Sequence, residues 1–417
     1  MTFRYPGIPL ETHLSDRLAL RILVETFRPD LIDQLVDKAE RRERRRRLLP
    51  AQLMMYFVLA MWLFGASSYE EVLAKLTGGL PEMFHGIGGV GDVASAAAIA
   101  RARVRLGVEP LKALCGHVAD AAGHGTQPDG ERVFVYESVA MEVPGTPANR
   151  AGYGAPRDND DPPPPRQQHE KHHSLDVWLS SLTDCRQRVS AVSAITPRRE
   201  EGAERLLAEW PHDLLDGRTL VVGDQEPIPA ALWTALAEAG ADQIWRVGGP
   251  GPVPYPLPVR RALPDGSYLS ELAPGTRSGG GHHGPEAAVR VVPYGGPPTP
   301  GGPEPRTALL VTSVLDSAVP AEEIRARYER AAARSGDGVA HFTGQITGPR
   351  ALLRSKSPEL VQQEIYALIC AYHAVGYLVS PPPPLGRISA GPAGPAGPAG
   401  PADPAARWIE WTAVRPR

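Results

Sequence analysis

Two carboxylates stand where chemistry would need them. Residues 219–224, Thr-Leu-Val-Val-Gly-Asp, are a short apolar run that follows the turn Asp216-Gly217 and ends in Asp224. Such a run reads as a strand buried on both faces, and α/β sheets place ligands and catalytic groups at the C-terminal edges of their strands. Asp224 also precedes Pro227, Pro229 and the helix-forming stretch 230–239, so capping that helix is its other reading. A second acid, Glu137, closes the alternating stretch 132–137. Two hard oxygen ligands, completed by waters and phosphate oxygens, suit Mg2+.

A second chemistry is suggested by arginine. Arg41, Arg42, Arg44, Arg45, Arg46 and Arg47 fall within seven positions, and Arg101, Arg103 and Arg105 follow on a later helical stretch. Guanidinium groups pair bidentately with phosphate oxygens and release counterions on binding. A solvated helix face is the alternative, but two basic helices in one all-α segment favour double-stranded DNA as partner. His169, His172 and His173, and separately His282 and His283, lie in Pro/Gly-rich loops without the cysteines or spacing of a metal site, and read as solvated.

The elements that would position these groups follow from the pattern. With 417 residues, 42% of them hydrophobic, the chain can bury one large or two to three medium cores, and a net charge of -3 announces no partner. Cys115, Cys185 and Cys370 are too scattered for a disulfide framework or zinc cage, which favours a reducing cytoplasm. The N-terminus lacks the apolar core of a signal peptide. The longest apolar run, 53–64, falls short of the roughly 20 residues that span a bilayer, so it reads as a buried helix and no membrane is expected.

Residues 16–121 read as helical throughout, with helices over 18–27, 29–39, 53–64, 68–76 and 94–106 and a restart after Pro110. Strands follow at 132–137 and 139–143, then at 175–182 and 188–195 around a turn at Thr183-Asp184. A helix at 200–209 leads to the strand before Asp224, and a last strand spans 243–247. Trp210, Trp233 and Trp245 read as core. Residues 248–315 hold short strands at 268–272, 288–293 and 307–315 between Gly/Pro loops, and 357–379 is a helix. The tail carries Gly-Pro-Ala triplets from Gly391 to Ala402, too few for a triple helix and read as disordered. A mixed sheet flanked by helices, with Glu137 on its first strand and Asp224 on a later one, is the layout of ribonuclease-H-like nucleases.

At this point a family resemblance becomes explicit. The Arg-rich knot running into Leu48-Leu49-Pro50-Ala51, Ser68-Tyr69-Glu70-Glu71-Val72, Ala102-Arg103-Val104-Arg105-Leu106-Gly107, Val143-Pro144 with Thr146-Pro147-Ala148-Asn149, Leu263-Pro264-Asp265-Gly266-Ser267, and Leu353-Arg354-Ser355-Lys356 occur in one order. The chain resembles DDE-type bacterial insertion-sequence transposases of the insertion element 4 family over roughly residues 15–380. The resemblance implies a helical DNA-binding-type domain at 1–125 and a ribonuclease-H-like domain at 126–247 completed by helices at 316–380. It further implies a β-rich insertion at 248–315, and the composition of 381–417 leaves a disordered tail beyond the resemblance.

It also implies a mechanism in which three acids hold Mg2+ or Mn2+ for attack on a phosphodiester at the element's ends, carried out by a dimer. In that scheme Glu137 takes the place of the family's first aspartate and Asp224 is the second acid. The third should lie on a helix with a Tyr, Arg, Glu, Lys pattern, but the slots fall on Ala332, Gly336 and Thr343. Tyr328, Glu329 and Arg330 keep a trace of the pattern, and Asp337 is the adjacent candidate acid. A DNA-binding relative with impaired catalysis is therefore expected. The alternatives are an active enzyme using a displaced third acid and a host-retained non-catalytic DNA-binding protein.

Overall fold

The computed structural model describes residues 14–45, 47–84, 94–123, 130–154, 174–184, 187–210, 215–224, 228–248, 257–272, 287–295, 308–335, 338–347 and 351–379. The helical segment comprises α1 (Leu14–Thr26), α2 (Pro29–Lys38), α3 (Ala51–Leu63), α4 (Tyr69–Gly79), α5 (Ala96–Leu106) and α6 (Glu109–Gly123). Local signals set their ends. Pro29 opens α2 with a preset φ, and Ser68 and Glu71 cap α4 reciprocally at 3.2 and 2.7 Å. Ser95 caps α5, which Gly107 ends at φ 70°. The run expected to be a buried helix is α3, whose residues from Leu53 to Trp62 are all buried. No helix among the described residues is long and apolar enough to cross a membrane.

The sheet begins with β1 (Arg132–Val143), followed by α7 (Pro147–Tyr153), β2 (Leu175–Asp184), β3 (Val189–Thr196), a 3-10 turn (Arg199–Glu201), α8 (Gly202–Ala208), β4 (Thr219–Gly223), α9 (Ala230–Glu238) and β5 (Asp242–Val247). Then come β6 (Arg261–Ala262), β7 (Tyr268–Leu272), β8 (Ala287–Tyr294), β9 (Ala308–Thr312), α10 (Ala321–Ser335), α11 (Val339–Thr347), β10 (Ala351–Leu352) and α12 (Pro358–Val379). The strand order is β3-β2-β1-β4-β5-β9-β8-β7-β6, with β10 also on β1. β4 runs parallel to β1 and β5 parallel to β4, while β2 and β9 are antiparallel to their neighbours β1 and β5.

Two expectations are corrected. The two strands at 132–137 and 139–143 are the single strand β1, because β2 pairs with it continuously from Phe134↔Asp184 to Val143↔Leu175. For the same reason Thr183 and Asp184 are strand residues and not a turn; the turn lies at Arg188, with φ 53°. Residues 248–315 hold β6–β9, which extend the same sheet through the pairing of β9 with β5. Both histidine groups and the tail lie outside the described residues.

Alternation assigns the strands' two faces to two cores. Phe134, Tyr136, Val221, Trp245 and Val311 pack with Leu206, Leu232 and Trp233 under α8 and α9. Leu220, Val222, Ile244 and Leu310 pack on the other face with Ile324, Tyr328 and Ala331 of α10. Trp210, Trp233 and Trp245 are all buried. Gly223 has no room for a side chain: a Cβ there would lie 2.3 Å from the indole of fully buried Trp245, which is hydrogen-bonded to Gln243 and packed on Tyr136. We expect Gly223→Ala to destabilise the protein by about 2–3 kcal/mol in urea unfolding, because neither ring nor strand can retreat.

The motifs that are far apart in sequence meet. Asn149 of α7 donates through Nδ2 to Ser355 O at 3.1 Å, Thr146 donates to Lys356 O at 2.7 Å, and Leu353 N donates to Glu142 O of β1 at 2.8 Å. These contacts place α12 against α1, α3 and α6, so the C-terminal helix closes the helical segment from the sheet side.

Candidate functional site

Parallel register brings the two acids together. Tyr136 of β1 faces Gly223 of β4, so Glu137 and Asp224 are the next residues along the same pair. Alternation turns both toward the α10 face: Val133 packs in that core two pairs before Glu137, and Leu220 and Val222 pack there before Asp224. Glu137 sits where β4 ends and before β10 begins at Met141, in the fork between two partners of β1.

The two carboxylates have different surroundings. Glu137 is buried and accepts the backbone N–H of Val339 at 3.0 Å and the Thr183 hydroxyl at 3.4 Å, with the Ala340 N–H as a further donor. Its Oε atoms therefore serve the otherwise unsatisfied first N–H groups of α11. Burial pushes its pKa up to about 7, and these donors oppose the shift. Gly338 makes the fit possible, since a Cβ there would lie 2.1 Å from Glu137 Oε1. Asp224 is exposed and paired with Arg246 of β5 at 2.9 Å. Tyr328 closes this corner: its phenol is pushed up by burial first and by the Asp224 charge second, and it bonds Arg246.

Asp337 and Gly336 lie outside the described residues, as does Arg46. Among the described residues, no group of three or more His, Cys, Asp and Glu side chains is arranged to hold a metal ion. A Mg2+ ion needs ionised, unencumbered oxygens at near-ideal positions. Glu137 is bound to α11, and Asp224 is held by a guanidinium. The pair as it stands does not fit that ion.

The arginines also divide. A cleft of about 480 Å³ is lined by Arg41, Arg42, Arg44, Arg45, Arg47 and Arg105 with Glu40 and Glu43. Arg44, Arg45, Arg47 and Arg101 are exposed. Arg42 is tied to Asp37 and to Asp33 at 3.3 Å, and Arg105 Nη2 donates to Leu49 O at 3.4 Å. The expectation for Arg103 is overturned: it is 0% exposed, and its guanidinium donates to Tyr69 Oη at 2.7 Å, Ser355 Oγ at 3.0 Å, Leu360 O at 3.0 Å and Gln363 Oε1 at 3.3 Å. Glu364 lies 3.4 Å away as its counter-ion. No guanidinium N–H remains directed at solvent for a phosphate.

The sequence reading missed Arg246, Thr183 and the α11 N-terminus. Arg246 had a usable signal, because it follows Ile244 by two on the strand beside β4 and so shares the face of Asp224. The binding of Glu137 by Val339 had none, since it depends on a helix about 200 residues away.

Residues 17–115 match the family described as insertion element 4 transposase N-terminal. The chain is 24% identical over 378 residues to the transposase InsG for insertion sequence element IS4 of Escherichia coli (strain K12), an alignment covering 87% of this chain and 77% of the relative. Helical segment and sheet alike are thus similar to a transposase of insertion element 4.

Proposed function

We propose that this protein binds insertion-element DNA through its helical segment and carries, on β1 and β4, a ribonuclease-H-like cleavage centre that is impaired. The arginine-lined cleft supports the first part: it gathers cations whose sequence-independent partner is a run of phosphates. The two acids in adjacent register, Glu137 within β1 and Asp224 just past the end of β4, support the ribonuclease-H-like reading. The impairment rests on one observation, the use of the Glu137 carboxylate to bind the α11 N-terminus.

The residues of the site act as follows. Arg44, Arg45 and Arg47 hold the duplex backbone, and Arg246 neutralises Asp224. Glu137, held by Val339 and Thr183, stays out of reach of a phosphodiester. A second reading, an active strand-transfer enzyme, is favoured by the shared register of Glu137 and Asp224. It requires α11 to release Glu137 and a further acid such as Asp337 to join.

Nicking of a supercoiled plasmid carrying the DNA that flanks this gene separates the two. With Mg2+ we expect duplex binding without nicking above that of Asp224→Ala. Mg2+-dependent nicking that disappears in Asp224→Ala restores the active enzyme. For the binding itself, Arg44→Ala with Arg45→Ala and Arg47→Ala should reduce the slope of log affinity against log salt by about 2–3. An unchanged slope with an intact fold returns the cluster to a solvated surface.

A further inference from the structure

Two of the cysteines that look scattered in sequence meet in space. Cys115 of α6 and Cys370 of α12, 255 residues apart, bring their sulfurs to 3.3 Å. That is little more than an ångström beyond the roughly 2.05 Å of an S–S bond. The helices carrying them pack against each other, which keeps the two sulfurs within reach of one another. Their surroundings differ in a useful way. Cys115 is half-buried and donates to Tyr366 O at 3.2 Å, whereas Cys370 is fully buried.

We propose that Cys115 and Cys370 are an oxidation site, at which a small disulfide of the glutathione type converts the two thiols into a disulfide stapling α6 to α12. Cys115, the accessible sulfur, attacks as thiolate and forms a mixed disulfide, releasing one glutathione thiolate. The Cys370 thiol then loses its proton to solvent and attacks the Cys115 sulfur, releasing the second glutathione. Two protein thiols are oxidised and one glutathione disulfide is reduced to two thiols. Burial holds the Cys370 thiol well above the usual range, so it stays protonated and inert until the mixed disulfide lies against it. The staple closes a chain segment of 255 residues, and loops of that length gain most from closure. It joins the helical segment to the helix that follows the sheet, and it does not depend on the DNA-binding reading.

The test is a thiol count on the full chain, before and after incubation with oxidised glutathione. Of the three thiols present in the sequence, one should remain, with an intact mass lower by about 2 Da and a dithiothreitol-sensitive peptide joining the segments around 115 and 370. Tm should rise by about 5 °C and return on reduction. Cys115→Ala, a change at a half-buried helix position, should keep two free thiols under the same treatment. Three surviving thiols in the wild type overturn the proposal. So does glutathione retained on Cys115 without a crosslink, or a crosslink through Cys185.

Discussion

Arg103→Met should destabilise the protein by about 3–5 kcal/mol in urea unfolding at neutral pH, the largest loss among substitutions in the helical segment. The guanidinium is fully buried among Tyr69, Ser355, Gln363 and Glu364, and its removal leaves the Glu364 carboxylate buried without a counter-ion. Glu364 retains Ser355 Oγ at 2.7 Å and Arg354 N at 3.1 Å, which cannot replace a full charge. The loss therefore comes from the orphaned partner rather than from the pair's own attraction. Arg103→Met combined with Glu364→Leu should recover more than half of it, since two apolar groups leave no charge to solvate. A loss under about 1 kcal/mol in the single variant would show that the network does not interlock α5 with α12.

The second large effect is a pH dependence at Glu137. Its folded pKa of about 7 lies above its ordinary value of 4.5, so the folded state favours the protonated acid. The contribution to stability is fully present below pH 4.5, falls as pH rises, and is lost once pH passes about 7. Relative to Glu137→Gln, which cannot ionise, the wild type should lose about 3 kcal/mol between pH 4 and pH 8. The difference between the two unfolding free energies, measured across that window, removes the other titrating groups. A flat difference would mean that Glu137 is solvated and free to ionise. Gly338→Ala, which intrudes on the same carboxylate, should raise the α11 region's amide exchange without touching the Asp224–Arg246 pair.

Period and punctuation made much of the fold legible. The i, i+3, i+4, i+7 set Ile99, Ala102, Arg103, Leu106 was present in the sequence, and on it Arg103 belongs to the buried stripe. Reading that helix by its charges placed Arg103 with Arg101 and Arg105, which point the other way. The apolar run of β4 likewise located Asp224 at a strand end, and the alternation of β1 placed Glu137 on a strand. What composition could not convey was long-range partnership. The Val339 N–H on Glu137, the Arg246 pair on Asp224 and the meeting of Cys115 with Cys370 each join segments whose separation carries no local signal. The strand break expected at residue 138 failed for a related reason, because a continuous partner strand overrides a weak local pattern.

The most direct test of the proposed impairment is a Mn2+ titration of the full chain followed by electron paramagnetic resonance at pH 7.5. With Glu137 bound to α11 and Asp224 to Arg246, binding should be weaker than about 1 mM and unchanged in Asp224→Ala. A site tens of times tighter that vanishes in both Asp224→Ala and Glu137→Gln would contradict it, and would mean that the two carboxylates turn together toward one metal ion.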